Sequence, residues 1–179
     1  MRLTINSSDI MSNQQLQTLR SSYKSPHILF YIARSKNENI VVYEANVVNN
    51  EFHSKNPVNV YWLDIDPAYV KKNRAKGITT DKSELNTLEN NFAYGVSCEP
   101  YTGPETNNQQ GYKIKLVALP ERIVYIYKSN DNNGQVLIKA YMYINKKLAN
   151  IERIYVKSTD RMIGLPKVDY AEVEVCNVI

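Results

Sequence analysis

Acidic side chains at alternate positions are the first feature of this chain that could do chemistry. Glu172 and Glu174 stand two residues apart in an apolar run, where strand alternation would put both carboxyls on one sheet face. Such a pair can act as acid and base in hydrolysis, but the same spacing describes an ordinary solvated strand face. Asp64 and Asp66 form the other close acidic pair. Hard cations want more oxygens than two carboxylates supply, and Asp66 precedes Pro67 as a helix cap would. The only histidines, His27 and His53, cannot build a histidine-rich metal site. We therefore assign no metal ligands, no cofactor and no catalytic residues, and a non-enzymatic protein is the preferred reading.

A second constellation is basic and aromatic. Tyr dominates the aromatics, with fourteen against three Phe and one Trp, and it suits strands with a wet face. Strand alternation groups Lys113 with Lys115, then Lys139 with Tyr141 and Tyr143, then Arg153 with Tyr155 and Lys157. If these strands are neighbours in register, Lys139, Tyr141 and Arg153 share a basic, tyrosine-studded face. That face could stack bases and pair phosphates, meet an acidic protein partner, or line a barrel that holds a small anion. It also matches a plain wet sheet face whose lysine stems cover apolar surface. The opposite stripe, Val136, Ile138, Ala140, Met142 and Ile144, is the core candidate. The net charge of +4 permits an anionic partner but falls short of a nucleic-acid-binding composition.

Several function classes are excluded by motif. The six glycines are scattered, so neither a dinucleotide-binding fingerprint nor a P-loop can be written. There is no G-x-S-x-G elbow and no C-x-x-C pair. Cys98 and Cys176 read as two thiols in a reducing compartment. No apolar run approaches the roughly 20 residues needed to span a bilayer, and residues 1–15 hold no apolar signal core. A cytoplasmic protein without a membrane partner is expected.

The elements that must position these residues are mostly strands. Residues 112–157 read as four antiparallel strands separated by Pro120, an Asn/Gly turn and a Lys-Lys-Leu-Ala-Asn link. Further strands are expected at 28–33, 40–47, 58–65 and 168–175, with 34–39 as a hairpin loop. Two short helices interrupt them. One runs over 67–76, from the Asp66-Pro67 cap to Gly77, and exposes Lys71, Lys72, Arg74 and Lys76. The other spans 82–92, opened by Asp81 and Glu84, with Leu85, Leu88 and Phe92 on one stripe. The two prolines and two glycines of 99–111 predict a long loop. Residues 1–25 read as a polar tail with a short helix carrying Leu16 and Leu19, ahead of a single β-rich domain over 26–179. The expected fold is mainly β, with about eight or nine antiparallel strands closed as a barrel or stacked as a sandwich.

Five blocks resemble a family described only as a domain of unknown function. They are FYIARSKNENIVVYEAN from Phe30, NPVNVYW from Asn56, FAYG from Phe92, IYVK from Ile154 and PKVDY from Pro166. The stretches 66–78 and 99–111 depart from its pattern. The resemblance implies no activity. It does direct attention to Arg34, Trp62 and Tyr94, which either set turns and packing or converge at a barrel mouth as a pocket with one cation and aromatic walls. The functional expectation is a binding module for a small or extended, possibly anionic, ligand. An interaction protein using the Lys/Tyr face is the alternative, and a hydrolase using Glu172 and Glu174 is a distant third.

Overall fold

The computed structural model describes residues 3–6, 11–35, 37–64, 81–130, 136–159 and 167–178. The strands are β1 (Leu3–Asn6), β2 (Ile28–Arg34), β3 (Asn37–Ala45), β4 (Val47–Val48), β5 (Glu51–Phe52), β6 (Val58–Leu63) and β7 (Lys82–Glu84). They continue with β8 (Val96–Thr102), β9 (Gln110–Leu116), β10 (Leu119–Asn130), β11 (Val136–Ile144), β12 (Lys147–Thr159) and β13 (Lys167–Val178). Helix α1 spans Met11–Ser22, and α2 spans Thr87–Glu89 before widening into a π turn over Asn90–Tyr94. The fold is mainly β, as expected.

Eleven of these strands form one sheet in the order β7-β6-β3-β2-β12-β11-β10-β9-β8, with β13 and then β1 branching from β12. Two-residue turns close several hairpins. Asn49-Asn50 and Asn145-Lys146 all take positive φ, the geometry that matches the twist of a tight hairpin. The sheet is mixed rather than antiparallel throughout, because β12 pairs parallel with β2 and β1 pairs parallel with β13. The cause lies in the length of β12. Its first residues pair with β11 through Asn150↔Tyr141, and its later ones pair with β2 through Arg153↔Tyr31 to Val156↔Arg34. Irregular register at Asn150, Ile151 and Arg153 swings the strand from one neighbour to the other and curls the sheet into a half-barrel.

Alternation then sorts the side chains. Ile138, Ala140, Met142 and Ile144 point into the curl, as their stripe predicts, and join Phe30, Ile32, Tyr43, Ile126 and Ile154 in the main core. On the convex side α1 covers one region, where Leu16 packs against Tyr31, Ile40, Val42 and Leu63. Arg20 anchors that helix by donating from Nε and Nη2 to the Ile28 carbonyl at 3.1 and 2.7 Å. Residues 1–25, read above as a polar tail, thus carry β1 and a packed helix. Leu16 and Leu19 are on α1 as expected.

Two further expectations need correction. Over 82–92 the chain begins as β7, paired with β6, and the helix starts only after Asn86. Asn86 accepts from the Glu89 N–H while the Glu89 carboxylate accepts from the Asn86 N–H, a stronger start signal than Asp81 and Glu84. Residues 99–102, placed in a loop, belong to β8. Pro100 is tolerated there because β8 is an edge strand of the sheet. The helix expected over 67–76, with its basic residues and Asp66, lies outside the described residues.

Candidate functional site

Arg34 closes β2, Trp62 lies near the end of β6, and Tyr94 ends the π turn, so three separate elements supply the cluster. Register explains the first two. Ile32 and Trp62 both pair with Val41, which puts them in one row across β2, β3 and β6. Arg34 stands two residues beyond Ile32, on the same concave face. Its guanidinium carbon lies 4.7 Å from the centre of the Trp62 ring and 5.4 Å from that of Tyr94. The two rings meet edge to face at 5.3 Å and 74°. The convergence of these three residues, one of the alternatives raised above, is a feature of the fold.

The core beneath fixes Tyr94. Tyr43, stacked on Phe30 at 4.6 Å, donates its hydroxyl to the Tyr94 carbonyl at 2.8 Å. The π turn is held by Gly95 N–H donating to the Asn90 carbonyl at 3.0 Å. A β-carbon on Gly95 would fall 2.0 Å from that carbonyl oxygen, so the close approach requires glycine. Burial pushes the Tyr94 phenol above its ordinary value, and the charge and hydrogen bond of Arg34 pull part of that back. The turn also corrects an expectation. Leu88 and Phe92 are 70% and 66% exposed, because the wide turn rotates Ala93 and Tyr94 inward instead.

Among the described residues no carboxylate forms an ion pair with Arg34, and its buried Nε has no hydrogen-bond partner. Two acids on the adjoining segments are otherwise employed. Asp64, two residues past Trp62, accepts from Asn39 Nδ2 at 2.9 Å, and Glu89 caps α2 while adding negative potential at Tyr94. The interior of the curl below is filled by residues such as Phe30, Tyr43 and Met142, so a ligand at Arg34 would sit at the rim.

Lys139 and Tyr141 lie elsewhere, on the convex face. Tyr125 pairs with both Lys113 and Tyr141, and Tyr127 with Lys139, so the predicted Lys/Tyr surface exists over β9, β10 and β11. Its rings largely engage one another. Tyr127 stacks on Tyr141 at 5.4 Å, and Tyr125 meets Tyr101 and Tyr143 at 5.4 and 6.3 Å. The 103–109 loop lies over them, with Glu105 accepting from Tyr101 at 2.5 Å and Tyr143 at 3.3 Å, and Asn107 donating to Tyr127 at 2.9 Å. Lys113 sits 3.9 Å over the Tyr101 ring, and Lys115 pairs with Glu99 at 3.4 Å. Tyr101 and Glu105 were invisible as partners in sequence, because 99–111 read as loop.

Arg153 does not join this surface. Past the irregular register of β12 its neighbours are Tyr31 and Glu174, and Glu174 ion-pairs with it at 2.6 Å. That pair also employs one of the two glutamates on which hydrolysis would depend. Among the described residues no cluster of His, Cys, Asp and Glu could hold a metal ion, and no helix is long and apolar enough to cross a membrane. A separate open cleft of about 250 Å³ is lined by Glu51, Phe52, Gln109, Gln110, Tyr112 and Lys128. There the β4–β5 hairpin reaches across the curl, tied by the Lys128–Glu51 pair at 2.5 Å and by Phe52 on Tyr112 at 5.3 Å.

These features define a mainly-β protein built on a single curled, mixed sheet, with a cationic, aromatic-walled cluster at its rim. The family model described as "Domain of unknown function (DUF4833)" matches residues 30–178, and the chain belongs to that family. No match was found among the curated proteins or the solved structures.

Proposed function

We propose that the protein is a non-enzymatic, β-rich binding module for an anionic ligand, anchored by Arg34 between Trp62 and Tyr94. In this reading the curled sheet serves as a partly open barrel with the site at one end. One observation carries it: a guanidinium is held against two aromatic rings, yet has no carboxylate partner among the described residues. A half-buried cation without a counterion is costly unless something else completes it, and arginine held on aromatic rings keeps a planar fork for an anion. The free Cys98 thiol fits a reducing cytoplasm, and burial lifts its pKa to about 11, which argues against a nucleophile.

The other readings have less behind them. The convex Lys/Tyr face would have to give up its own ring contacts before bases could stack there. Glu174 is committed to Arg153, which leaves Glu172 without a ready partner for hydrolysis.

Trp62, the single tryptophan, provides the test. Titration with 8-anilinonaphthalene-1-sulfonate, an aromatic anion, is expected to give saturable energy transfer from Trp62. Arg34→Met should weaken binding at least tenfold, and Lys115→Gln should leave it unchanged. Absence of transfer, or binding indifferent to Arg34→Met, would overturn the proposal.

A further inference from the structure

We infer that the group recognised at Arg34 is a carboxylate on an apolar body rather than a phosphate; this rests on the anion-binding reading above. The first argument is charge. Phosphate esters carry up to two negative charges and are met by clustered cations, helix N-termini or backbone nests. Among the described residues one guanidinium is the cation on the two rings, and Glu89 adds negative potential at Tyr94. Among the described residues a dianion would meet one attractive centre. A single carboxylate matches the one fork available.

The second argument is the wall. Trp62 is only partly buried, and Leu85 and Ala93 are half-buried against the same core it packs on. The cation and the partly exposed aromatic surface of Trp62 thus lie side by side. Those are the features of pockets that hold an apolar body and orient it by a few polar contacts. Tyr94 is already committed through its carbonyl to Tyr43 and through its phenol to Arg34, so it acts as a fixed wall.

The experiment is titration of the full chain with octanoate, benzoate, the neutral octanamide and benzamide, and inorganic phosphate, read by Trp62 emission. Saturable responses are expected for the two carboxylates, with the amides and phosphate at least tenfold weaker. Arg34→Lys, which keeps the charge and stem but loses the fork, should weaken carboxylate binding about tenfold and guards against simple loss of fold. Amides binding as well as their carboxylates, or phosphate binding as tightly, would overturn the assignment of ligand class. Phosphate saturation alone would leave the anion-binding reading standing, whereas no response to any anion would remove both.

Discussion

The convex tyrosine layer and the concave Arg34 cluster use the same residue types, and they differ in what their polar atoms have found. In the tyrosine layer the hydroxyls of Tyr101, Tyr127 and Tyr143 meet Glu105 or Asn107, and Lys115 meets Glu99. At the rim, Arg34 keeps an orphaned Nε and lacks a carboxylate among the described residues. Aromatic and basic composition alone therefore does not locate a site. The distinguishing property is an unmet electrostatic demand, which appears only when partners are counted atom by atom.

The largest test of this contrast is Gly95→Ala. The added β-carbon would strike the Asn90 carbonyl, so the π turn must open and carry Tyr94 away from Arg34. A loss of roughly 2–3 kcal/mol in urea unfolding, with a shifted Trp62 emission, is expected for a backbone clash of this kind. Unchanged emission would show that Tyr94 does not depend on the turn. Tyr43→Phe is gentler. It leaves the Tyr94 carbonyl without its buried donor, and should cost about 1–2 kcal/mol while leaving the tyrosine layer untouched. If near-ultraviolet circular dichroism changed throughout, the two regions would be coupled rather than separate.

The smallest effect belongs to Glu105→Gln on the solvent side of the tyrosine layer. The Tyr101 hydroxyl holds the Glu105 carboxyl below its ordinary value of 4.5. A depressed carboxylate contributes stability above that value, and the contribution is lost as pH falls through the lowered one. The same hydrogen bond pushes Tyr101 up to about 12 from an ordinary 10, so its contribution is complete below pH 10 and fades between 10 and 12. In an alkaline titration of tyrosinate absorbance, the variant should show one tyrosine ionising earlier. An unchanged profile would mean that the Tyr101–Glu105 contact does not hold in solution.

Legibility followed how local each signal was. The Ile138 to Ile144 stripe was readable because alternation on one strand decides its inward face, and the first hairpin was readable from two flanking apolar runs. The sequence places a helix over 82–92 because Asp81 and Glu84 imitate a cap whose actual partners are Asn86 and Glu89. β8 was hidden by Pro100, whose tolerance depends on lying at a sheet edge, and an edge is a property of the assembled sheet. Alternation alone groups Arg153 with Lys139 and Tyr141, and it cannot register the irregular pairing that hands β12 from β11 to β2.

By itself, then, the sequence determined the strand-rich class, the inward stripe of β11 and the residues from which a site could be made. Those depend on side-chain period and composition, which act over a few neighbouring residues. Only the tertiary structure decided that Arg34, Trp62 and Tyr94 meet, that Arg153 is committed to Glu174, and that the convex tyrosines engage one another. Each of those outcomes rests on pairing between strands far apart in the chain, where a shift of one residue would reverse every face.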